Sequence, residues 1–598
     1  MIGRSVAALV LMIVLASGTM LAWARMPLRP PLTAPTQALT YVRASLARGD
    51  LPSLLDEARP QAGLPVIVSL FDHGTRVGRG VGRGATFGEA LRAATEGLRP
   101  VDAALLARGR LKLDRVLGEG ALSSSIAPLF ALGTVPARDG IGAEGGGREV
   151  YFTVDDLLRA GAWSAYTPAL ELSLGMDPAR ALRMLSTALE RRPVRTFRFR
   201  AEELVEATPG GLALPVMCGR TPGPEPTRER LLAAAGEGGR YLLSHLDEAG
   251  RFDYEYYTIE DERVGGQTYS LPRHAGAVSF LAALYAHAHD AQLKAGMERA
   301  LDWLVRARPK GCDGERICVG DPALGVVDLG SSALALVAAA EYERTTSDPR
   351  YEPFVRGLTE FVLSMQKADG ELCHLFDPVQ QRRDEITQML YYSGEAAYGL
   401  ALTLARHPDR RVAAALDRSL EYLTHTQYDH LAGQFYLGED HWTCMAVDAG
   451  WDFLPPDHRR GYAELCEAFG RFVRREQFLP GESTVAAQPQ LVGAFGLSAA
   501  VTPRTTPVGS RTESMVSVWR IARRLHDDGD PRVVAPREQV LQAVRYLLAH
   551  QIRDDGSYLM TSAAASRGGF LMSDTERHIR IDFIQHAASA LLRSVDVL

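Results

Sequence analysis

Residues able to transfer protons or to bind sugars recur at six places in the sequence, each at the start of a run of small residues. They are Gln267, Tyr269, Arg273 and His274; Asp328; Tyr391, Tyr392 and Glu395; Glu439, Asp440, His441 and Trp442; Arg511 and Glu513; and Asp582, Gln585 and His586. Carboxyl and imidazole groups act as acids and bases, and aromatic faces stack on sugar rings. This combination predicts a site for a carbohydrate.

Two types of reaction are compatible with these residues. Two carboxyl groups far enough apart to admit a water molecule would suit an inverting glycosidase. Arg273 and Arg511 would instead favour an anionic sugar, because a guanidinium pairs bidentately with a uronate carboxylate. In that case one of the tyrosines, with Glu395 or His274, would move the proton next to the carboxylate and give epimerisation or elimination.

We divide the set into two predicted roles. Catalysis is assigned to Tyr391, Tyr392, Glu395, His274, Asp440 and His441. Substrate binding is assigned to Tyr269, Arg273, Trp442, Arg511, Glu513, Gln585 and His586. A carboxylate such as Asp328 or Asp582 could instead cap a helix, and the whole set could belong to a non-catalytic scaffold that binds a glycan or a protein. No cofactor and no metal are predicted.

The candidate residues belong to an internal repeat between residues 228 and 598. In each unit a helix ending in an apolar pair leads through a polar turn to a second helix rich in small residues. The turns contain Gly250, Gly314, Gly370, Gly433, Gly481 and Gly556. Small side chains permit close helix packing, so six units predict a closed (α/α)6 toroid, with an open solenoid as the alternative. The candidate residues would then share one end of the inner ring.

Residues 39–206 do not follow the helical repeat and show a mixed pattern of strands and helices. A β-rich run at 64–71 and the turn Asp72-His73-Gly74 precede glycines 78, 80, 82 and 84, which predicts a hairpin with positive φ at glycine rather than a phosphate-binding loop. A helix capped by Thr86 and strands near 110–114 and 150–153 should follow. We therefore predict a smaller α+β domain, joined to the toroid by a linker over residues 207–227.

The order of these elements resembles an AMMECR-type domain over residues 39–206. The resemblance rests on the hairpin, an Ala-rich helix, the strand 111–116, the stretches 138–140 and 150–152, and a helix around Trp163. The family's hairpin ends Leu-Arg-Gly-Cys-Ile-Gly, whereas residues 77–82 read Val-Gly-Arg-Gly-Val-Gly. Chemistry that depends on that cysteine therefore does not carry over.

Residues 228–598 resemble the six-hairpin glycosidase and glucuronyl-epimerase group. The repeated Gln-x-x-Asp-Gly-like turn and the stretch Tyr-Tyr-Ser-Gly-Glu-Ala at 391–396 carry this resemblance. It implies a toroid that acts on a polysaccharide or oligosaccharide in the cell envelope. The Asp-x-Asp-Asp motif of squalene–hopene-type cyclases and the zinc ligands of lanthionine cyclases are absent from the sequence.

Charge and the first residues of the chain bear on partners and compartment. With 598 residues, a formal charge of −6 and a pI near 6.2, the chain lacks a generally basic surface, so no nucleic-acid partner is predicted. Residues 1–24 place Arg4 before an apolar run that ends Ala22-Trp23-Ala24. This pattern predicts a signal peptide, or alternatively an inner-membrane anchor formed by residues 5–23. A periplasmic or secreted protein is expected, with a proline-rich linker over residues 25–38.

Six cysteines are too few for a disulfide scaffold in a chain of this length. Cys312 and Cys318 flank a turn-rich loop whose ends can approach, which predicts a disulfide; a zinc-binding pair is the alternative. The remaining cysteines are predicted to fill buried apolar space: Cys218, Cys373, Cys444 and Cys466.

Overall fold

The computed structural model describes residues 31–48, 61, 63–121, 134–145, 148–161, 195–265, 269–307, 312, 315–320, 325–427, 440–496 and 502–598. The predicted signal peptide or anchor, the helix around Trp163, and the candidate residues Gln267 and Glu439 lie outside this set. Within it, no helix is long and apolar enough to cross a membrane.

The N-terminal domain is built on a seven-stranded antiparallel sheet. Its strands are β1 (Val66–Asp72), β2 (Thr75–Gly82), β3 (Arg110–Ala121), β4 (Asp139–Gly145), β5 (Arg148–Phe152), β6 (Arg195–Glu206) and β7 (Ala213–Val216). Their order is β2-β1-β3-β6-β4-β5, and β7 pairs with β6. Helices α1 (Pro35–Arg48), α2 (Phe87–Gly97), α3 (Ala103–Arg108) and α4 (Val154–Arg159) complete the domain.

The predicted boundaries of this domain need two corrections. Helix α1 begins at Pro35, so the end of the predicted linker 25–38 is helical. Strand β7 pairs with β6 inside the predicted linker 207–227 and belongs to the sheet. A four-residue strand with a half-exposed pattern gives little periodicity to recognise, which explains why β7 was missed.

The predicted hairpin is present, but its glycines serve a different purpose. The turn uses His73 and Gly74 at positive φ, whereas the glycines within β2 have no positive φ. A Cβ atom on Gly80 or Gly82 would collide with the backbone of α2. These glycines therefore let the sheet approach the helix closely. Thr86 caps α2 and forms a capping box with Glu89, as its position predicts.

The C-terminal domain consists of six helical hairpins. The outer helices are α5 (Arg228–Ser244), α7 (Ala291–Arg306), α9 (Glu352–Met365), α11 (Arg410–His425), α13 (Arg459–Glu476) and α16 (Pro531–His550). The inner helices are α6 (Leu271–Ala288), α8 (Leu329–Thr346), α10 (Tyr392–Leu404), α12 (Trp442–Gly450), α15 (Thr505–Leu525) and α18 (Ile581–Arg593). Each inner helix contacts the next, and α18 contacts α6. The ring is closed, so the open solenoid is wrong and the (α/α)6 toroid is confirmed.

Short elements fill the connections between hairpins. They are α14 (Ser483–Ala487), α17 (Ala563–Ser566), β8 (Glu255–Tyr257), β9 (Glu262–Val264), β10 (Val327–Asp328), β11 (Leu375–Asp377), β12 (Arg382–Asp384) and β13 (His578–Arg580). Gly250 and Gly370 adopt positive φ in the outer-to-inner turns, and a Cβ on either would collide with a backbone carbonyl of the next outer helix. The turn glycine therefore has a steric cause at these two positions. Gly481 has positive φ but open space around it, Gly556 has no positive φ, and Gly314 and Gly433 lie outside the described residues.

Two disulfides lie in the toroid. The Cα atoms of Cys312 and Cys318 are 5.9 Å apart in the predicted bridge. Cys444 on α12 is bonded to Cys466 on α13, with Cα atoms 5.6 Å apart. The expectation that these two cysteines only fill apolar space is therefore wrong. Cys218 and Cys373 are buried and free.

The two domains share a buried interface. Tyr558, in the segment between α16 and α18, packs edge-on against Phe71 of β1 at a ring distance of 5.4 Å. Its hydroxyl donates to Asp155 Oδ1 at 2.6 Å. Arg110 donates to the backbone carbonyls of Asp554 and Asp555. The α+β domain thus binds the connection that leads to the last inner helix.

Candidate active site

The starts of the inner helices bring the candidate side chains together because small residues leave room for them. A Cβ on Gly330 of α8 would lie 2.8 Å from Glu395 Oε2 and would overlap the Tyr392 ring. A Cβ on Gly394 of α10 would lie 2.8 Å from Asp440 Oδ1. Gly276 and Gly509 give the same room to Gln585 and His586. The small residues at these starts therefore hold side chains of the neighbouring inner helix.

A histidine pair forms one side of the site. The rings of His441 and His586, from α12 and α18, meet edge-on with centroids 5.2 Å apart. Glu513 of α15 lies 2.7 Å from His586 Nδ1 through its Oε2 atom. A carboxylate can only accept from this nitrogen, so Nδ1 carries the proton and Nε2 of a neutral ring is left as the acceptor. His586 keeps 12% of its side-chain exposure, so a substrate can reach it.

Aromatic rings surround this pair. Trp442 packs on His441 at a centroid distance of 4.5 Å and lies 6.2 Å from His586. Tyr391 meets His441 edge-on at 6.5 Å. The side-chain amide nitrogen of Gln585 lies 3.3 Å from His586 Nδ1. The result is a set of aromatic faces next to two proton-transfer groups.

Carboxyl groups form the other side of the site. Glu395 on α10 is 5% exposed. Burial, together with the nearby carboxylates Asp328 and Asp440, raises the pKa of Glu395 well above its usual range. Asp440 accepts a hydrogen bond from Thr443 at 2.9 Å. Glu395 therefore holds its proton to a higher pH than an ordinary glutamate and is a candidate acid.

Two further candidates combine a structural role with a position at the site. Asp328 caps α8, accepting from the Ser331 backbone at 2.7 Å, so the capping interpretation holds for it. Burial raises the pKa of Tyr392, and the charge of Asp328 raises it further. His374, which the sequence did not indicate, supports the start of α10 by bonding Ser393 Oγ at 2.8 Å.

His274 lies away from this group. Its Nδ1 accepts from the Tyr269 hydroxyl at 2.6 Å, and its Nε2 bonds the Ala300 carbonyl of outer helix α7 at 3.1 Å. Burial lowers the pKa of His274 to about 4. With both nitrogens occupied and the ring between two helices, His274 is a structural residue, and its predicted catalytic role is not supported. Tyr269 is likewise engaged in packing, against Trp303 at 5.3 Å.

The two arginines expected to bind an anionic sugar are paired with carboxylates. Arg273 lies 3.4 Å from Asp582 and bonds the Tyr254 hydroxyl. Arg511 lies 3.1 Å from Glu476. Asp582 also forms a two-point pair with Arg580, at 2.6 and 3.0 Å. Neither guanidinium presents an uncompensated charge to a uronate.

The site could also offer ligands to a cation. His441, Glu513 and His586 each place a ligand atom within 4.8 Å of the others, a set that divalent transition metals accept. The contact of 2.7 Å between His586 and Glu513 is that of an ordinary hydrogen bond. As described, the three residues therefore form an acid–base group.

Comparison with known proteins finds similarity at the level of solved structures. No family model and no curated protein matches the chain. A cellobiose 2-epimerase from Bacillus thermoamylovorans matches with a TM-score of 0.48 and 11% identity, over 62% of this chain and 98% of that one. A sugar epimerase from a ruminal bacterium gives 0.47 and 13% over the same shares. An unsaturated glucuronyl hydrolase specific for heparin gives 0.42 and 10%, again over 62% and 98%.

Proposed function

We propose that the toroid is a carbohydrate-modifying enzyme that moves a proton on a sugar carbon next to a carbonyl group, as in epimerisation. The observation that carries the proposal is the histidine pair, in which Glu513 holds the proton of His586 on Nδ1. The second ring, His441, lies 5.2 Å away between centroids. Two bases at one end of the ring, next to aromatic faces, suit a sugar bound against them.

The chemistry follows from the tautomer. His586 Nε2 would remove the proton from the carbon, and the electron pair of the C–H bond would move towards the carbonyl oxygen. His441, in its protonated form, would return a proton to the same carbon, and delivery to the opposite face of that carbon would invert the centre and restore the carbonyl group. Glu513 is a positioning residue in this scheme, because it fixes the tautomer and stabilises the charged imidazole.

A glycan panel with isotope analysis tests the proposal. Incubation in deuterated water should place deuterium on the carbon next to the carbonyl without cleavage. His586→Gln should lower turnover by about 10²- to 10⁴-fold, the usual range for an acid–base group. The control is His407→Gln, which breaks a similar His–Glu pair, 2.8 Å long to Glu343, away from the site. Equal loss in both variants would contradict the role of His586.

Other products would identify the remaining reactions. New reducing ends would indicate a glycosidase, for which the protonated Glu395 could serve as the acid. An unsaturated uronide would indicate elimination, although the paired arginines give no support to a uronate substrate. Binding without turnover across the panel would favour the scaffold that binds a glycan or a protein.

We also propose export to the envelope, as the first 24 residues suggest. Two disulfides in the toroid support an oxidising compartment. Cell fractionation with N-terminal sequencing would separate a cleaved signal from an anchor, and recovery of the chain in the cytoplasm would contradict export. The AMMECR-type assignment of the sheet domain likewise stays a proposal, supported by its order of hairpin, helix and strand.

A further inference from the structure

The carboxyl group of Glu395 is buried without a partner for one of its oxygens. Oε2 accepts no hydrogen bond from the residues that the structure describes, and the charged neighbours that shift the pKa of this carboxyl group are both acidic. The residue is only 5% exposed. A buried acceptor left unsatisfied costs free energy, so such an atom commonly marks a position that a ligand completes.

Every charged group that acts on Glu395 is acidic. Asp328 reaches it from α8 and Asp440 from the start of α12, and both oppose its ionisation. Tyr392, one turn earlier on α10, contributes a neutral phenol whose pKa is raised by the same surroundings. Arg273 and Arg511, the two arginines among the candidate residues, have carboxylate partners of their own. The local potential therefore favours a positive ligand.

We propose that this end of the toroid binds the ammonium group of an amino sugar, with Glu395 Oε2 as its acceptor and Asp328 and Asp440 supplying the negative potential. The proposal rests on the proposed function only in taking the ligand to be a sugar. An ammonium group brings three donors and one positive charge. It would satisfy the unpartnered oxygen and oppose the repulsion among the three carboxyl groups.

Aromatic rings lie next to the carboxyl group of Glu395. Gly330 of α8 packs against both the Tyr392 ring and Glu395 Oε2. The rings of Tyr391 and Tyr392 are only partly buried, so they can cover the face of a sugar whose amino group points at the carboxyl. An N-acetyl group would lose the charge and present a bulky amide instead.

Binding should be accompanied by the release of a proton. The raised pKa means that free Glu395 holds its proton at pH values where an ordinary glutamate is ionised. When an ammonium group arrives, the carboxylate becomes the favoured form and the O–H bond of Glu395 breaks, with the proton passing to the buffer. Glu395 thereby changes from a neutral acid to a carboxylate, and its negative charge balances the positive charge of the bound ammonium group.

Titration calorimetry on the full-length protein tests this directly. D-glucosamine, N-acetyl-D-glucosamine and D-glucose should be compared at a mildly acidic pH in two buffers that differ in ionisation enthalpy. We expect glucosamine to bind roughly tenfold or more tightly than the two neutral sugars, with release of close to one proton. Equal affinities, no release of protons, or no binding by glucosamine would each overturn the proposal.

Two variants locate the effect. Glu395→Gln should abolish both the preference for glucosamine and the proton release. Glu343→Gln should preserve both, because Glu343 is another buried glutamate with an unpartnered oxygen, bonded to His407 away from the site. A preference that survives Glu395→Gln would contradict the assignment. If the protein turns over neutral sugars but does not prefer glucosamine, the ammonium site is refuted and the proposed function stands. If it prefers glucosamine but turns over no sugar, the ammonium site stands and the proposed function is refuted.

Discussion

Two buried groups of carboxyl side chains, one in each domain, differ in whether they contain a cation. In the sheet domain, Lys112 Nζ lies 2.6 Å from Asp114 and 2.7 Å from Glu203, and it also pairs with Asp155. At the end of the toroid, Glu395 has two carboxylates near it and, within the described ranges, no cationic partner. Both groups are removed from water, so both carry the cost of desolvation.

Among the described residues, the presence of a cation in one group and not in the other indicates that the two groups of carboxyl side chains serve different purposes. The group around Lys112 is closed by Tyr558, which comes from the toroid and donates to Asp155 at 2.6 Å. It has its own cation and donors, so it fixes the domain interface and needs no ligand. In the part of the chain that the structure describes, no group donates a hydrogen bond to Glu395 Oε2, and we attribute that to ligand binding. A buried carboxyl group is therefore informative only together with its partners.

The largest expected effect is the loss of the cation from the closed group. Lys112→Met should lower the free energy of unfolding of the sheet domain by about 3–5 kcal/mol, because three buried carboxyl groups lose their counter-charge. Chemical denaturation followed by circular dichroism measures this loss of unfolding free energy. The control is Lys294→Met, which removes a partly exposed pair with Asp348 at 3.0 Å and should cost less than about 1 kcal/mol. A similar loss of unfolding free energy in the two variants would show that Lys112 does not stabilise the buried carboxyl groups.

The fold was more predictable from the sequence than the site. Small residues and turn glycines recur once per hairpin, so six inner helices could be recognised, and their starts could be placed at one end. The side on which a residue points depends on helix packing. His274 follows Arg273 directly, yet it points to the outer helix α7 and bonds Ala300 there. Neighbouring positions on a helix diverge by about 100°, so proximity in sequence did not imply a shared site.

Pairings between distant residues were the least predictable. Glu513 and His586 are both in the predicted set, but their hydrogen bond requires α15 and α18 to be adjacent. Cys444 and Cys466 lie 22 positions apart with no local loop to join them, and only the packing of α12 on α13 makes the bridge. Short-range patterns carry no information on such contacts.

The second prediction concerns the pH dependence of the closed group. Burial, together with the neighbouring carboxylates and against the opposing charge of Lys112, raises the pKa of Glu203 to about 8. A carboxyl group with a raised folded pKa contributes stability at low pH that is lost as the pH rises towards that value. We therefore expect stability to fall by at most about 1.4 kcal/mol per pH unit between the ordinary pKa of a glutamate and pH 8.

Glu203→Gln should flatten this dependence, because the amide does not ionise. Thermal unfolding across the pH range measures the difference between variant and parent chain. Glu202→Gln is the control, since the adjacent side chain pairs with Arg115 at 2.9 Å instead of with Lys112. If the control flattens the profile equally, the dependence does not arise from the group around Lys112.

The third prediction weakens the link between the domains. Tyr558→Phe keeps the ring against Phe71 but removes the donor to Asp155, and a hydrogen bond to a charged group is worth about 1.5–3 kcal/mol. The sheet domain should unfold earlier and become easier to cleave by protease. Tyr462→Phe removes a similar bond to Asp417, 2.7 Å long, inside the toroid. An identical protease pattern for the two variants would argue against Tyr558 as an interdomain contact.

The smallest expected effect has the opposite sign to that of Lys112→Met. Glu395→Gln removes a carboxyl group whose ionisation is opposed by burial and by Asp328 and Asp440. The raised pKa means that the parent chain loses stability as the pH rises, and the variant does not. A gain of about 1 kcal/mol near neutral pH is expected, limited by the need to satisfy the new amide, and it should grow at higher pH. Denaturant titrations at two pH values measure it. A destabilised variant at both values would mean that Glu395 already has the partner it needs within the fold, and the contrast with the group around Lys112 would fail.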